Sequence, residues 1–542
     1  MLKAPVLSPK TTRLLGVLGL IGILLAFAFY CARFIERTSF VVDEQRYYAL
    51  FDDAMISMQY ARNLANGDGL VWNAGGERVE GFSNPGWVLF MALFHKLGLP
   101  PETVSLPIQI SSAIFLGLNI IVVWLVGRRL FTGELAALLA AGLTGFYFHL
   151  NNWALQGMEV GLLTLLLSSA VWLALRARDG GRFSFWPYAL LALGTWVRVD
   201  MLVPLTALCI LQAWQDAPHR RQHLAWGLGL LGASLALQTG LRYWYYGELV
   251  PNTYTLKVAG ISLAERLRRG LDVFGGFVWD SGWFLTLLPL LLMAFWPDKA
   301  TLLLFALLAG QVAYSIYVGG DAWEHKGGAN RFIALAMPLF FLLFVQVLDK
   351  LRRRLLQLRP DNWTALASHG VMAALVFTSL FSFNVIHEND ARDKWLTIKR
   401  PIFVPGTERY TRIGLLINQI TTPEARIAVA TAGNIIYFAE RYGIDMLGKS
   451  DKVIASSAPH SAGGTLSNVE DTFRPGHNKW DYQHSIVQLQ PDIVAQIWGS
   501  SREMAPYLEA GGFEHFELDG YVLYIRTDSP NVLWDQINSL AP

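Results

Sequence analysis

Two adjacent carboxylates, Asp52 and Asp53, follow the first long apolar segment of the chain. Charged side chains beside a membrane span are costly unless they are hydrated or paired, so a functional role is the first hypothesis. A carboxylate can take a proton from a hydroxyl group as a general base, or attack as a nucleophile. The alternative is an ordinary helix start, with Asp52 as the N-cap of a helix over residues 54–66. A second acidic pair, Asp43 and Glu44, lies in a more generally polar segment and ranks lower.

Further polar residues in the surrounding segments are of kinds that suit a phosphate or a sugar. In the segment that carries the aspartates, the candidates for contacting substrate are Arg62, Glu80 and Asn84. Glu159 lies at the start of a later apolar segment, where an acidic residue at a helix N-terminus is an equally good explanation. Arg198 and Asp200 are explained by pairing with each other at a membrane bend.

Two later loops combine basic residues with aromatic residues or glycines. The candidates in the first loop are Arg242, Tyr246, Asn252, Tyr254 and Lys257. They suit a lipid-phosphate pocket, but aromatic residues at a bilayer surface are also typical of the interfacial belt. The candidates in the second loop are Trp323, His325, Lys326 and Arg331. Its glycine pairs can bring backbone amides close to an anion, and its cations can bind a phosphate, unless the loop is a flexible turn with surface charges.

The composition places these candidates in a membrane protein. Of 542 residues, 53% are hydrophobic and 16% are charged, against roughly 25% charged residues in soluble domains. The sequence has no zinc-ligand set. It also lacks a glycine-rich phosphate loop ending in Lys-Ser or Lys-Thr, and this absence argues against an ATPase. We expect no cofactor and no nucleic-acid partner, although a pair of aspartates can hold a divalent ion.

The apolar segments predict eleven transmembrane helices. The first, over residues 14–32, follows a basic flank that stays in the cytoplasm. Its alternative is a cleaved signal peptide, whose apolar core is usually shorter. A first outer loop covers residues 35–105 and includes a helix at the membrane interface over residues 85–99. The other spans are predicted at 106–126, 134–150, 156–175, 186–199, 200–215, 223–243, 282–296, 300–318, 331–348 and 364–385.

Residues 386–542 differ in character from the transmembrane domain predicted over residues 1–385. They are predicted to form an α/β domain, with strands at 426–430 and 491–495, a helix at 435–441 and a hairpin at 513–526 that turns at Asp519-Gly520. Because the number of spans is odd, this domain is expected outside the cytoplasm, on the same side as the first outer loop.

The chain resembles the GT-C glycosyltransferases at the segment around the two aspartates and at several later motifs. Asp52-Asp53-Ala54 and residues 60–64 and 80–85 are similar to the first outer loop of that family. The similarity is greatest to the subgroup that contains the mycobacterial terminal arabinofuranosyltransferase of arabinogalactan. The further motifs shared with that subgroup are Tyr245-Tyr246-Gly247-Glu248, Pro251-Asn252-Thr253, Gly319-Gly320-Asp321, Arg331-Phe332 and residues 443–455.

The resemblance implies a polytopic α-helical protein of the bacterial cytoplasmic membrane, with its active site and C-terminal domain on the periplasmic side. It implies a sugar donor carried on a polyprenyl monophosphate. By motif position, Asp52 matches the catalytic aspartate of the family, with Asp53 as its neighbour. The residues expected to bind the donor phosphate are Arg242, Lys257, His325, Lys326 and Arg331. Whether a carboxylate acts as base or as nucleophile stays open.

The resemblance leaves the sugar and the acceptor less defined. Arabinofuranose is the expected sugar, and a cell-envelope glycan or glycoprotein is the expected acceptor. The subgroup also resembles pilin-modifying transferases and a flagellar motor control protein. The alternatives are therefore another sugar, a lipid A or pilin acceptor, or a non-enzymatic membrane protein associated with motility. A transporter is less favoured because the unusual charges gather at one face of the membrane.

Overall fold

A computed structural model describes residues 8–324, 329–385, 389–460 and 473–540. Each of the eleven predicted spans contains a helix, and the predicted interfacial helix is also present. The helices up to residue 385 are α1 (Pro9–Thr38), α2 (Asp52–Asn66), α3 (Pro85–Lys96), α4 (Ser105–Leu130), α5 (Glu134–Gly145), α6 (Phe148–Leu155), α7 (Val160–Asp179), α8 (Trp186–Val197), α9 (Leu202–Gln215), α10 (Arg220–Tyr246), α11 (Asn252–Val258), α12 (Leu263–Asp280), α13 (Trp283–Phe295), α14 (Lys299–Val318), α15 (Arg331–Ala334), α16 (Met337–Leu358) and α17 (Asn362–Asn384).

Among the helices of the described residues, six are long and apolar enough to cross a membrane: α1, α4, α7, α10, α14 and α17. A seventh crossing is possible if α12 and α13, which bend by 101° at their junction, form one span. The other predicted spans correspond to shorter helices, or to α16 with its basic C-terminal half. The polytopic helical architecture is confirmed, and the count of eleven crossings stays a prediction.

Four helices bring polar residues together at one end of the bundle. α7 begins after Glu159, and α8 ends before Arg198. α9 follows the short turn that contains Asp200, and α14 ends at Val318, just before Gly320 and Asp321. The 20 residues of α7 are about 30 Å long, so the other ends of these helices lie at the opposite face of the bundle.

The part of the chain beyond residue 388 contains a mixed sheet. Its strands are β3 (Arg426–Val429), β4 (Tyr442–Asp445), β5 (Ile493–Val494), β6 (Phe513–Leu518) and β7 (Tyr521–Arg526). A small hairpin of β1 (Phe40–Val42) and β2 (Gln45–Tyr47) precedes them, between α1 and α2. The strand order is β4-β3-β5-β7-β6, with β3 parallel to β4 and β5, and β7 antiparallel to β5 and β6. Asp519 and Gly520 both have positive φ, 49° and 73°, as a two-residue Asp-Gly turn requires.

Six helices accompany this sheet within the described residues. They are α18 (Ala391–Trp395), α19 (Val404–Ile420), α20 (Asn434–Ala439), α21 (Lys452–Ser456), α22 (Ser501–Ala510) and α23 (Trp534–Leu540). The predicted α/β domain is therefore confirmed, and β4 is an additional strand that was not predicted. The boundary between residues 385 and 386 stays a prediction.

The sheet domain packs directly on the segment that carries the two aspartates. The indole nitrogen of Trp72 donates to the carbonyl oxygen of Ala432 at 3.2 Å. Gly433 lies so close to α2 that a Cβ atom there would be 2.0 Å from the carbonyl oxygen of Asp52. A side chain at position 433 would therefore push the two parts of the protein apart. Buried apolar residues from both parts belong to one continuous core.

Candidate functional site

The two aspartates begin α2 and contact different neighbours. The N-cap of α2 is Phe51, so the explanation of Asp52 as an N-cap does not hold. The buried carboxylate of Asp52 accepts a hydrogen bond from the backbone N–H of Asn434 at 2.8 Å. Asp53 instead lines a cavity of about 60 Å³. Asp52 therefore stabilises the contact between α2 and the sheet domain, and Asp53 faces the cavity.

Two cations from distant parts of the chain hold Asp53. Its Oδ1 accepts a hydrogen bond from Nζ of Lys449 at 2.5 Å, and its Oδ2 accepts one from Nη2 of Arg331 at 3.1 Å. Arg331 also donates to both carboxylate oxygens of Asp321, at 2.7 and 2.9 Å. Burial alone would raise the pKa of Asp53, but Lys449 and Arg331 outweigh burial and hold this pKa well below its usual range. Asp53 is therefore ionised at physiological pH.

The environment shifts the pKa of Asp52 in the other direction. Burial raises the pKa of Asp52, and the charge of Lys449 and the hydrogen bond from Asn434 only partly oppose this effect. Neighbouring carboxylates whose pKa values are pushed apart typically have different roles in a site. Of this pair, Asp53 is the one that combines full charge with a position at the cavity wall.

A second group of ions forms another part of the cavity wall. Arg198 donates to both oxygens of Asp200, at 2.5 and 2.8 Å, and to Oε1 of Glu159 at 2.8 Å. The predicted pair of Arg198 and Asp200 is therefore present. The side-chain amide of Asn84 donates to the other oxygen of Glu159 at 3.0 Å. Because all of these groups are buried and mutually bonded, they form a rigid wall around Asp53.

Lys257 lies where the small cavity meets a larger one, since it lines both. Burial, followed by the charge of Arg331, lowers the pKa of Lys257 to about 8. Among the described residues, none forms a hydrogen bond or an ion pair with its ammonium group. Gly476, with a φ of 79°, approaches so closely that a Cβ atom there would be 3.3 Å from Cε of Lys257. The charges of Asp321 and Asp53 only partly offset the lowering of the Lys257 pKa. An enclosed cation without a direct ion pair is costly, so a bound anion would stabilise this arrangement.

The larger cavity has a volume of about 370 Å³ and a mainly apolar and aromatic wall. Its lining side chains come from α9, α10, α11 and α14, and they include Leu202, Leu235, Tyr254, Tyr314 and Val318. Arg242 also lines this cavity, where its guanidinium group forms an ion pair with Glu80. The small polar cavity therefore opens into an apolar cavity between helices.

The structure brings together most of the predicted phosphate-binding and substrate-binding residues. Those that line one or both cavities are Asn84, Glu159, Arg242, Tyr254, Lys257 and Arg331. Glu80 reaches the site through its ion pair with Arg242. His325 and Lys326 lie outside the described residues.

Four predicted substrate-binding residues make structural contacts away from both cavity walls. Arg62 stacks over the ring of Tyr437 and donates to its carbonyl oxygen at 2.9 Å. The hydroxyl group of Tyr246 donates to the carbonyl oxygen of Leu70 at 3.0 Å. The remaining two are Asn252, which donates to the carbonyl oxygens of Gly448, Lys449 and Asp451, and Trp323, which packs against Phe51, Phe403 and His477. A role in substrate contact is therefore not supported for these side chains in this structure.

Lys449 and Asp321 belong to the site but are not among the residues predicted from the sequence. Lys449 lies within the segment 443–455 that carries part of the family resemblance, which was the one signal for it. Asp321 follows the glycine pair of the second loop, where the cations after it are the stronger signal for a phosphate site. The described residues contain no group of three or more His, Cys, Asp or Glu side chains that could hold a metal ion.

Solved structures share this fold over most of the chain. ArnT from Cupriavidus metallidurans, bound to undecaprenyl phosphate, is 13% identical with a TM-score of 0.57, over 95% of this chain and 98% of that chain. The oligosaccharyltransferase of Archaeoglobus fulgidus in complex with Zn and sulfate is 10% identical with a TM-score of 0.52, over 78% of this chain and 62% of that chain. The complex of the same archaeal protein, AglB, with an inhibitory peptide and a dolichol-phosphate is 10% identical with a TM-score of 0.54, over 94% and 75%. The alignment therefore spans less than two thirds of one of these chains.

These similarities confirm the GT-C fold with a C-terminal sheet domain. Two family models match parts of the sequence. Residues 84–244 match the family described as dolichyl-phosphate-mannose-protein mannosyltransferase, and residues 401–523 match a domain of unknown function. No curated protein sequence matches the chain.

Proposed function

We propose that this protein is a membrane glycosyltransferase that moves a sugar from a polyprenyl monophosphate to an acceptor of the cell envelope. The observation that carries the proposal is the position of Asp53. It is an ionised carboxylate held by Lys449 and Arg331 at the wall of a cavity that opens, past Lys257, into an apolar cavity. Transfer from a lipid phosphate needs a reactive carboxylate, a cation for the phosphate and an apolar space for the lipid. The family match of residues 84–244 supports the same class of reaction.

The lipid phosphate would bind at Lys257. No anionic group of the described residues forms a hydrogen bond or ion pair with the ammonium group, which lies at the boundary between the polar and the apolar cavity. The lipid segment next to the phosphate occupies the apolar cavity of about 370 Å³, and the remaining lipid extends into the bilayer. The undecaprenyl phosphate of the ArnT structure and the dolichol-phosphate of the archaeal structure support a polyprenyl phosphate here.

Asp53 is the carboxylate that we assign to the reaction, in place of Asp52. Asp52 already accepts the hydrogen bond of Asn434 and lies away from the cavity, although it matches the catalytic position of the family. As the acceptor hydroxyl attacks the anomeric carbon, its proton passes to Asp53. The bond between the anomeric carbon and the phosphate oxygen breaks, and the polyprenyl phosphate leaves with the electron pair.

Binding of the donor near the cations around Asp53 would also change the pKa of Asp53. Lys449 and Arg331 hold the pKa of Asp53 so low that the carboxylate is a weak base in the unliganded protein. A phosphate that binds near Lys257 competes for these cations, and its own negative charge raises the pKa of Asp53. Donor binding therefore converts Asp53 into a stronger base at the moment when a base is required. The same cations then stabilise the charge that develops on the leaving phosphate.

The sugar, the acceptor and the side of the membrane are proposed in finer terms. The sugar is arabinofuranose, on the strength of the motifs shared with the arabinofuranosyltransferase subgroup. The acceptor is a glycan or glycoprotein of the envelope, on the periplasmic side of a bacterial cytoplasmic membrane. The basic residues at the helix ends opposite the site support this orientation, because basic residues favour the cytoplasmic side. They include Arg128, Arg129, Arg176, Arg178 and Lys299.

The test is transfer by the purified protein from a panel of radiolabelled polyprenyl-phosphate sugars. Each donor is incubated with envelope extracts that contain glycans, glycoproteins and lipid A, and the labelled product is identified by mass spectrometry. We expect label from the arabinofuranose donor in one acceptor class, and no transfer by Asp53→Asn. The matched control is Asp43→Asn, which removes an exposed carboxylate from the same outer loop.

The outcomes separate the class of reaction from its details. Transfer of a different sugar, or transfer to lipid A, would replace the arabinofuranose or acceptor assignment and keep the glycosyltransferase. Undiminished transfer by Asp53→Asn would contradict the assignment of Asp53. If no donor is consumed by a folded protein that binds none of them, the proposed function is wrong.

A further inference from the structure

Another cavity, lined by both charged and apolar groups, lies at the opposite face of the helix bundle. It has a volume of about 240 Å³ and is formed by the ends of α7, α8, α9 and α14 that are farthest from Asp53. A water molecule takes up about 30 Å³ in the liquid, so the space equals that of about eight waters. Since α7 alone is about 30 Å long, this cavity is separate from the candidate functional site.

Basic side chains outnumber acidic side chains in the wall of this cavity. Arg178 and Arg182 line it from the end of α7 and the loop that follows, and Lys299 lines it from the start of α14. The acidic residue of the wall, Asp216, already accepts hydrogen bonds from His219 at 3.0 Å and from His223 at 3.1 Å. These hydrogen bonds satisfy the carboxylate of Asp216, and the wall still carries three basic side chains, Arg178, Arg182 and Lys299, against this one acidic side chain.

Gln215 supplies an independent observation that points to a ligand. Its side chain lines the cavity and is 9% exposed, yet neither the amide nitrogen nor the amide oxygen has a hydrogen-bond partner among the described residues. Buried amide groups are almost always hydrogen-bonded, because an unpaired one costs about 1–3 kcal/mol. The backbone around it is well fixed, since Lys299 donates to the carbonyl oxygen of Gln215 at 2.6 Å. A rotation of the Gln215 side chain would let this amide bind a molecule in the cavity.

Exposed tryptophans place the cavity at the level of a membrane interface. Trp186 begins α8 and is 57% exposed, and Trp214 lies at the end of α9 and is 65% exposed. Tryptophan is enriched where lipid headgroups meet the hydrocarbon region. The cavity therefore opens at the depth of lipid headgroups, and basic pockets between helices at this depth bind phosphate-bearing lipids.

We propose that this cavity binds the phosphate group of an anionic phospholipid. The guanidinium group of Arg178 and the ammonium group of Lys299 bind the phosphate oxygens, and the Gln215 amide donates to the same group. Free phosphate has the same chemistry, so the experiment must distinguish the two sources. The inference does not depend on the proposed transferase activity, because none of these residues belongs to the site around Asp53.

The experiment uses the full-length protein in nanodiscs of phosphatidylcholine with increasing phosphatidylglycerol. Native mass spectrometry counts the bound phosphatidylglycerol, and a thermal scan follows unfolding. Arg178→Gln is expected to weaken phosphatidylglycerol binding about five-fold, since one basic residue near an anionic lipid contributes about that factor. The control is Arg176→Gln on the same helix, because Arg176 is exposed, stacks on Trp172 and lies outside the cavity wall.

A second variant and a second probe complete the test. Gln215→Leu replaces the amide with an apolar group of similar size. The variant is therefore expected to fold at least as well as the wild type while binding less phosphatidylglycerol. Titration with inorganic phosphate in phosphatidylcholine nanodiscs tests the free anion. If phosphate saturates the protein and phosphatidylglycerol adds nothing, the source is free phosphate and the lipid assignment is overturned. Equal losses in Arg178→Gln and Arg176→Gln, or equal binding of phosphatidylcholine and phosphatidylglycerol, would overturn the site itself.

Discussion

Replacing Lys257 by methionine is expected to stabilise the fold. The pKa of Lys257 is lowered from 10.5 to about 8, and each pKa unit corresponds to about 1.36 kcal/mol, so the charged form costs the folded protein about 3 kcal/mol. Below pH 8 this cost is fully present, because both the folded and the unfolded chain carry the proton. It decreases as the pH rises and vanishes above about pH 10.5. Lys257→Met should therefore raise the free energy of unfolding by up to about 3 kcal/mol at pH 7.

The same replacement is expected to weaken binding of the polyprenyl phosphate. A hydrogen bond to a charged group contributes about 1.5–3 kcal/mol, which corresponds to about ten- to 150-fold in Kd. In the wild type, Kd should rise about tenfold for each pH unit above pH 8, as Lys257 loses its proton. This pH dependence should disappear in Lys257→Met, and also in Lys257→Arg, whose guanidinium group keeps its charge.

The assay combines denaturant unfolding in detergent with titration of undecaprenyl phosphate at several pH values across pH 8. Lys96→Met is the control, because Lys96 is exposed at the end of α3 and should change neither quantity. The reasoning is refuted if Lys257→Met is less stable than the wild type at pH 7 while its Kd is unchanged. It is also refuted if Lys257→Arg keeps the wild-type pH dependence.

Four further variants test the roles assigned to the residues around the site. Asp53→Asn should lower kcat at least about a hundredfold, which is the smallest usual contribution of a general base. Asp52→Ala should lower kcat less than about tenfold and reduce the free energy of unfolding by about 1–3 kcal/mol, because a buried N–H loses its acceptor. Comparable losses of kcat in the two variants would contradict these separate roles. Asn252→Ala should lower kcat several-fold by releasing the loop that carries Lys449, and a crystallographic or cross-linking measurement that finds this loop unmoved would argue against that role. Arg62→Ala should reduce the free energy of unfolding by about 1 kcal/mol and leave the Kd for undecaprenyl phosphate unchanged, since Arg62 contacts Gln59 and the sheet domain and lines neither cavity.

Helices, strands and turns could be predicted from the sequence where apolar residues are buried and charged residues are exposed, as local patterns assume. The apolar run at 106–126 became α4, and Asp519-Gly520 became the turn between β6 and β7. α12 was not predicted, because its arginines look like solvent-exposed residues in the sequence. In the structure, Arg266 and Arg269 are buried, and they donate to the carbonyl oxygens of Tyr317 and Gly319 at the end of α14. Only the tertiary contact explains these charges.

The site was less predictable because its residues meet across long separations. Lys449 lies 396 residues from Asp53, and no local pattern indicates that these two segments meet. Asp52 and Asp53 are equivalent in the sequence, but successive residues of a helix are rotated by about 100°, so they face different neighbours. The sequence could therefore identify the carboxylate pair and the cations of two loops, but it could not decide which aspartate reaches the cavity.

The contact between Asp53 and Lys449 has a consequence for the synthesis of the protein. The chain emerges from its N-terminus, so all the predicted transmembrane helices are made before Lys449 exists. Until then Asp53 and Arg331 lack their third partner, and the loop that Asn252 holds in place is absent. A nascent chain in the membrane cannot assemble the complete site around a lipid phosphate. The activity we propose would therefore begin only after the sheet domain has folded onto α2.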